Sequence, residues 1–363
     1  MKFKKSLPHG GNLYHYSCKY GIPEEGFIDF SASINPIGPP TSAVRALRSA
    51  TASLVNYPDP DYSKLKEAIS AHFGVPPDSV LAGNGSTEFI YLIPRALKAK
   101  TALVFAPTFS DYERAARLAG CKVRRFPLKE KDGFAPDLGR LEKALEGVDV
   151  FFLCNPNNPT GYLLEKGQVN DILKAAAGAG VFTVVDEAFI DYVPSYSVFR
   201  EASFSKHHAV LRNFTKFYGM PGLRIGYMAS HPSVIDRLHA SKEPWSVNVL
   251  AELAAVSALS DAGYADKSLR LMDREKEFLF RELSAIPGVY PYRPSVNFML
   301  VRLDGKACPA DELAEHMASE GVLIRDCTNF RGLGGRYIRV AVRARADNER
   351  LVMALKRNLM IKM

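Results

Sequence analysis

Short stretches of this chain carry residue types that could do chemistry together. In "LRNFTKFYGMPGLRIGYM", residues 211–228, Lys216 follows Thr215 and an apolar run, and a glycine-punctuated loop leads on to Arg224. A lysine among apolar neighbours is placed differently from one on a solvated helix face, although a strand, a Pro-Gly turn and a surface lysine would read the same way. In "LAGNGSTEFIYLIPRAL", Gly83, Gly85, Ser86 and Thr87 come immediately before an apolar helix. Free backbone N–H groups, hydroxyls and a helix N-terminus suit a phosphate, while Ser and Thr are equally ordinary helix caps. Thr215 and Arg224 would add a second set of phosphate-binding groups close to Lys216.

Carboxylates and amides supply a second kind of chemistry. "VVDEAFIDY" ends an apolar run with Asp186 and Glu187, where ionised carboxylates are costly unless paired. A carboxylate there could hold a proton on a pyridine nitrogen and make that ring an electron sink, or it could simply cap a following helix. "CNPNNPTG", residues 154–161, is a dense turn whose Asn158 amide could donate to a ring hydroxyl or a carboxylate, or could be one polar loop residue among several. Arg325 in "VLIRD" and Arg339 in "YIRVAVR" fall inside apolar stretches, and buried arginines need anionic partners. These are either anionic small-molecule ligands or acids of the chain such as Asp326 and Glu349. His9 in "PHGGN" reads as a solvated turn residue or as a ligand group.

The elements that must position these residues alternate. Apolar runs "TALVFAP" at 101, "VDVFFLCNP" at 148, "GVFTVVDEA" at 180 and "HAVLRNF" at 208 are separated by helix-like segments such as 110–120 and 164–178. Strands buried on both faces and alternating with helices predict a parallel α/β sheet. The unusual residues follow the strands, and ligands of open α/β sheets bind outside the strands' carboxyl ends. Residues 1–45 read as an N-terminal arm packing with a small domain, 46–245 as a large domain and 246–363 as a smaller α+β C-terminal domain. In the last, "SVNFMLVRL" and "RYIRVAVR" are strand-like, and Leu351, Val352, Leu355 and Leu359 share one face of a final helix.

Composition narrows the classes. At 363 residues the chain can bury a large core. The net charge of +8 is spread along the chain without a zinc finger, basic zipper or RNA-binding signature, so a solvated surface is expected and no nucleic-acid partner. No apolar run is long enough to span a membrane, and five scattered cysteines have neither metal-ligand spacing nor the even number of a complete disulfide framework. A reducing cytoplasm and no metal are the expectations.

Lysine, phosphate cradle, strand-end aspartate and Asn-Pro loop, in this set, resemble the fold type I pyridoxal-phosphate enzymes, in the histidinol-phosphate aminotransferase branch, over nearly the whole chain. Within that branch "HGGN" at 9, "DFSASINPIG" at 29, "NYPDPDY" at 56, "PWSVN" at 244 and "NERLVMAL" at 348 look most like the L-threonine-O-3-phosphate decarboxylases, which make aminopropanol phosphate for the cobalamin side chain. The resemblance implies pyridoxal 5'-phosphate bound covalently by Lys216, with its phosphate held by Gly85, Ser86, Thr87, Thr215 and Arg224. It implies Phe109 stacked on the ring, Asp186 on the ring nitrogen and Asn158 at the ring hydroxyl or the substrate carboxylate. Tyr57 would reach the cofactor of a neighbouring subunit, hence a homodimer. Arg339 would receive the carboxylate of a small phosphorylated amino acid, and Arg325 and His9 its phosphate. Two positions depart from the branch: Phe189 stands where a tyrosine usually follows the aspartate by three residues, and Asn213 where Ser or Thr is common. A histidinol-phosphate-type aminotransferase, or a decarboxylase of L-serine O-phosphate, is the alternative.

Overall fold

The computed structural model describes residues 9–304 and 308–360. Among these, the chain divides into two compact units, one made of Ile37–Asn158 and Tyr162–Ser268, the other of the stretch up to Pro36, Pro159–Gly161 and the chain from Leu269 onward. The sequence reading puts the divisions at 45 and 245. They fall at 36 and 268 because the helix Val249–Leu259 lies against the helices Thr41–Ser49 and Ser63–Phe73, which ties residues on both sides of the sequence boundaries into the larger unit.

In the smaller unit, the first strand, β1 (Ile28–Asp29), follows a short helix, Leu13–Tyr20. The larger unit contains β2 (Val80–Gly83), β3 (Thr101–Ala106), β4 (Lys122–Pro127), β5 (Val150–Cys154), β6 (Phe182–Asp186), β7 (His208–Asn213) and β8 (Gly226–Ala229). They form one sheet in the order β2-β8-β7-β6-β5-β3-β4, in which β8 runs antiparallel to both neighbours and every other pair is parallel. The four apolar runs singled out in the sequence are β3, β5, β6 and β7. All five residues of β5 are buried, as a central strand covered by helices on both faces requires.

Strand direction sets where chemistry can gather. β2, β3, β5, β6 and β7 run the same way, so Gly83, Ala106, Cys154, Asp186 and Asn213 end along one edge of the sheet. The register confirms it: Cys154 pairs with Asp186, Asp186 with Leu211, and Gly226 with both Asn213 and Gly83. On one face the helices Ser86–Ala96 and Ser110–Leu118 bury Phe89, Ile90, Ile93, Tyr112 and Ala116 against Leu81, Val104, Phe152, Val184, Leu211 and Met228.

The smaller unit is α+β. β9 (Val289–Pro291), β10 (Phe298–Leu303), β12 (Arg325–Asp326) and β13 (Tyr337–Ala341) form an antiparallel sheet in the order β12-β13-β10-β9, and β11 (Val322–Leu323) pairs in parallel with β1. The closing helix Arg345–Met360 buries Leu351, Val352, Leu355 and Leu359, the face its spacing marks.

Candidate active site

The turn after β2 is built by glycine. Gly85 has φ +74°, and a Cβ there would lie 2.6 Å from Arg224 Nη2, so only glycine lets the guanidinium close over the turn. A Cβ on Gly226 would meet the backbone N of Ser86 at 2.3 Å, which fixes β8 directly beneath the start of the helix Ser86–Ala96. Arg224 itself has φ 56° and donates from Nη1 to the Pro221 carbonyl at 3.3 Å. Asn213 closes the group: its Oδ1 accepts from Thr215 N at 2.9 Å and its Nδ2 donates to Ser86 Oγ at 3.4 Å. Gly85, Ser86, Thr215 and Arg224 therefore meet around the N-terminus of one helix, with Thr87 in that helix's first turn. The residue that the sequence marks as a departure, Asn213, is the one that links Ser86 to the Thr215–Lys216 turn.

Next along the edge stands Asp186, buried at the end of β6. Its Oδ2 accepts from Tyr112 Oη at 2.7 Å and its Oδ1 from Ala188 N at 2.9 Å. Burial pushes its carboxyl above the usual range, and those two donors together with the Lys216 ammonium act in the opposite direction. The Lys216 Nζ lies 5.7 Å from the centre of the Phe189 ring, a buried apolar ring where a tyrosine would have offered a hydroxyl. Phe109 begins the helix that carries Tyr112, edge-on to it at 5.5 Å, and Tyr112 stacks on Phe152 of β5. Asn158 is buried at the end of a turn braced by its neighbours: Asn157 accepts from Thr108 Oγ1 at 2.8 Å and donates to the Pro107 carbonyl at 3.1 Å, and Asn155 exchanges two bonds with Leu164. Glu187 points the other way, held by Ser197 Oγ and Val198 N near the buried Arg212, which is ion-paired with Asp191.

The smaller unit gathers the remaining candidates. Arg325 of β12 and Arg339 of β13 are cross-strand partners, both buried. Arg325 donates from Nη1 to the carbonyl of Asp326 at 2.6 Å and from Nη2 to Asn329 Oδ1 at 2.7 Å, while the Asp326 carboxylate accepts from Thr328. Arg339 Nη2 donates to the Ser31 carbonyl at 2.9 Å. Burial lowers the Arg339 guanidinium to about 10, with Arg325 adding to the effect and Cys327 and Asp29 opposing it. Ser31 also accepts, at Oγ, from Gly11 N at 2.8 Å, and a Cβ on Gly10 would strike the Ser31 carbonyl at 2.3 Å. The backbone next to His9 is thus packed on the same residue that Arg339 holds.

Tyr57 lies elsewhere on the larger unit, 81% exposed, its ring 5.1 Å from that of Trp245. Among the described residues no group of three or more His, Cys, Asp or Glu is disposed to hold a metal ion, and no helix is long and apolar enough to cross a membrane. Sequence reasoning missed Tyr112, Asn329 and Ser31. Tyr112 had a signal: a tyrosine three residues after Phe109 on a helix that packs beneath the strand ends.

A family model described as aminotransferase class I and II matches residues 25–357. The threonine-phosphate decarboxylase of Salmonella typhimurium is 38% identical over 350 residues, 96% of this chain and 95% of that protein. Among solved structures, the L-threonine-O-3-phosphate decarboxylase of Porphyromonas gingivalis superposes with a TM-score of 0.80 at 29% identity, covering 90% of this chain and 97% of that one. The histidinol-phosphate aminotransferase of Clostridium acetobutylicum gives 0.84 at 30%, with 90% and 97% covered.

Proposed function

The chain belongs to the aminotransferase class I and II family, and we propose on that premise that it is a pyridoxal-phosphate-dependent decarboxylase of L-threonine O-3-phosphate, forming aminopropanol phosphate for cobalamin biosynthesis. The residues at the sheet edge fit the cofactor. Gly85 leaves the helix N-terminus open to Arg224, and a buried carboxylate supported by two donors suits a protonated ring nitrogen. When bound, pyridoxal phosphate supplies a ring that accepts the electron pair released as a bond at the substrate Cα breaks.

The chain's own residues do the rest. Gly85, Ser86, Thr87, Thr215 and Arg224 hold the phosphate, Tyr57 completes that contact from the second subunit of a homodimer, and Phe109 covers the ring. Leu54, Val55 and Tyr57, 60%, 86% and 81% exposed, are large apolar side chains close together in sequence, and a second copy would cover them. Asp186 keeps a proton on the ring nitrogen; the hydrogen bonds from Tyr112 and Ala188 favour its ionised form, which that task requires. Lys216 carries the cofactor and afterwards moves protons at the substrate Cα. Asn158 steadies the ring hydroxyl or the substrate carboxylate. The cysteines, five in number and without metal-ligand spacing, suit a reducing cytoplasm.

The observation that carries the substrate class is the buried cross-strand pair of Arg325 and Arg339. Two like charges placed opposite each other repel, and a ligand with two anionic groups relieves both. A phosphorylated amino acid brings a phosphate, for Arg325 and His9, and a carboxylate, for Arg339. Reaction choice would then follow from positioning: Arg325 and His9 would fix the remote phosphate and Arg339 the carboxylate, which together would orient the reacting centre. Phe189, which offers no hydroxyl beside Lys216, matches the decarboxylases rather than the aminotransferases of this branch.

A product assay tests the reading. With L-threonine O-3-phosphate the enzyme should release CO2 and the amino-alcohol phosphate over many turnovers with no added 2-oxo acid. L-Serine O-phosphate should compete modestly, because one methyl group is worth only about 1–3 kcal/mol. Efficient turnover of histidinol phosphate with 2-oxoglutarate, and no CO2 from threonine phosphate, would replace this reading with the aminotransferase one, which the Clostridium structure favours.

A further inference from the structure

Glu88 lies in the first turn of the helix Ser86–Ala96, two residues after Ser86, and its carboxylate turns back toward the glycine turn. Its Oε2 accepts from Asn84 N at 2.5 Å and from Ser246 Oγ at 2.9 Å. A glutamate at this position is ordinarily favourable: it complements the helix dipole and satisfies a backbone donor ahead of the helix. At a helix N-terminus read as receiving a phosphate, the same carboxylate adds a like charge that has to be offset.

The compensation comes from a distant segment. The Lys242 side chain is 4% exposed, and its Nζ lies 3.5 Å from Glu88 Oε1 and 2.5 Å from Ser246 Oγ. It sits over the Tyr62 ring at 5.3 Å, and the Tyr62 hydroxyl in turn accepts from Val247 N at 3.0 Å. Burial works against the Lys242 charge and Glu88 sustains it. An ammonium so enclosed needs a carboxylate partner to stay charged.

We propose that Lys242 is a positioning residue of the phosphate cradle. It cancels the charge of Glu88 and clamps it, together with Ser246, so that Glu88 can fix the Asn84–Gly85 turn, whose Gly85 N–H bonds the Gly83 carbonyl, without repelling a phosphate at the N–H groups of residues 86 and 87. The proposal rests on the cradle reading given above.

The full-length enzyme, stripped of cofactor and titrated separately with pyridoxal 5'-phosphate and with phosphate-free pyridoxal, tests it. Lys242→Met should weaken pyridoxal phosphate binding on the order of tenfold, leave pyridoxal binding nearly unchanged, and regain most of the loss when combined with Glu88→Gln, whose amide oxygen still accepts from Asn84. Equal loss for both ligands, or no recovery in the double variant, would show a merely structural role and overturn the proposal. A wild-type enzyme that binds pyridoxal as tightly as its phosphate would instead sink the cradle reading itself, and the proposal with it.

Discussion

Arg325 and Arg339 face each other directly across the antiparallel β12–β13 pair, each only 7% exposed. Replacing Arg339 by Ala should lower kcat/KM for the phosphorylated amino acid roughly ten- to a hundredfold, the worth of a hydrogen bond to a charged group. The visible absorbance of the lysine-bound cofactor should be unchanged, because the role proposed for Arg339 is to receive the substrate carboxylate and not the cofactor. Parallel loss of cofactor and activity would show that its role is misassigned.

Lys216→Ala should abolish both turnover and that absorbance while the thermal melting of the cofactor-free protein stays close to wild type. Lys216 is partly exposed and no part of the apolar core. Borohydride reduction followed by peptide mapping locates the attachment; a labelled peptide elsewhere would mean another lysine serves.

Tyr57→Phe should weaken cofactor retention by about 1.5–3 kcal/mol if its hydroxyl bonds a charged phosphate. Mixed dimers that pair a Tyr57→Phe subunit with a Lys216→Ala subunit distinguish a contact within one chain from a contact across the dimer.

Tyr112→Phe removes a donor that lowers the Asp186 carboxyl. The acid limb of the pH profile of kcat should therefore move to higher pH, since Asp186 would take up its proton earlier on acidification. An unmoved acid limb would mean that another group sets it.

Glu187 supplies a stability test with a definite sign. Burial raises its carboxyl from 4.5 to about 7, Arg212 and its two hydrogen-bond donors opposing. Between those values the folded chain holds a proton that the unfolded chain has lost, so this group's contribution is fully present below pH 4.5 and is lost as pH rises through 7. Glu187→Gln should gain stability relative to wild type across that window, by at most roughly 3 kcal/mol. Buried His208, lowered to about 4, acts in the opposite direction, and its contribution fades as pH falls. Chemical denaturation at pH 5 and pH 8 gives the difference.

How much was legible in the sequence depended on whether a residue contrasted with its own neighbours. Gly85, Asp186, Lys216, Arg325 and Arg339 are glycines or charges set against apolar runs, and their types stand out without a fold. β4 did not stand out: as an edge strand it carries Lys122, Arg124 and Arg125, charges that guard an unpaired edge and erase the apolar pattern. Partnerships were invisible for a different reason. Tyr112 and Asp186 are 74 positions apart, and Ser246 and Glu88 are 158 apart, so only the sheet order brings them together. In sequence Asn213 reads as a lost hydroxyl, whereas in the fold its amide bonds Ser86 and Thr215 at once.

The contact between Trp245 and Tyr57 has an optical consequence. Trp245 is the chain's only tryptophan, 47% exposed and held at φ 53° against the Tyr57 ring. The native protein therefore carries a single indole fluorophore at the tyrosine assigned to subunit contact. Its emission should shift to the blue and resist quenching by iodide as that surface is covered, giving a label-free readout of subunit association on dilution.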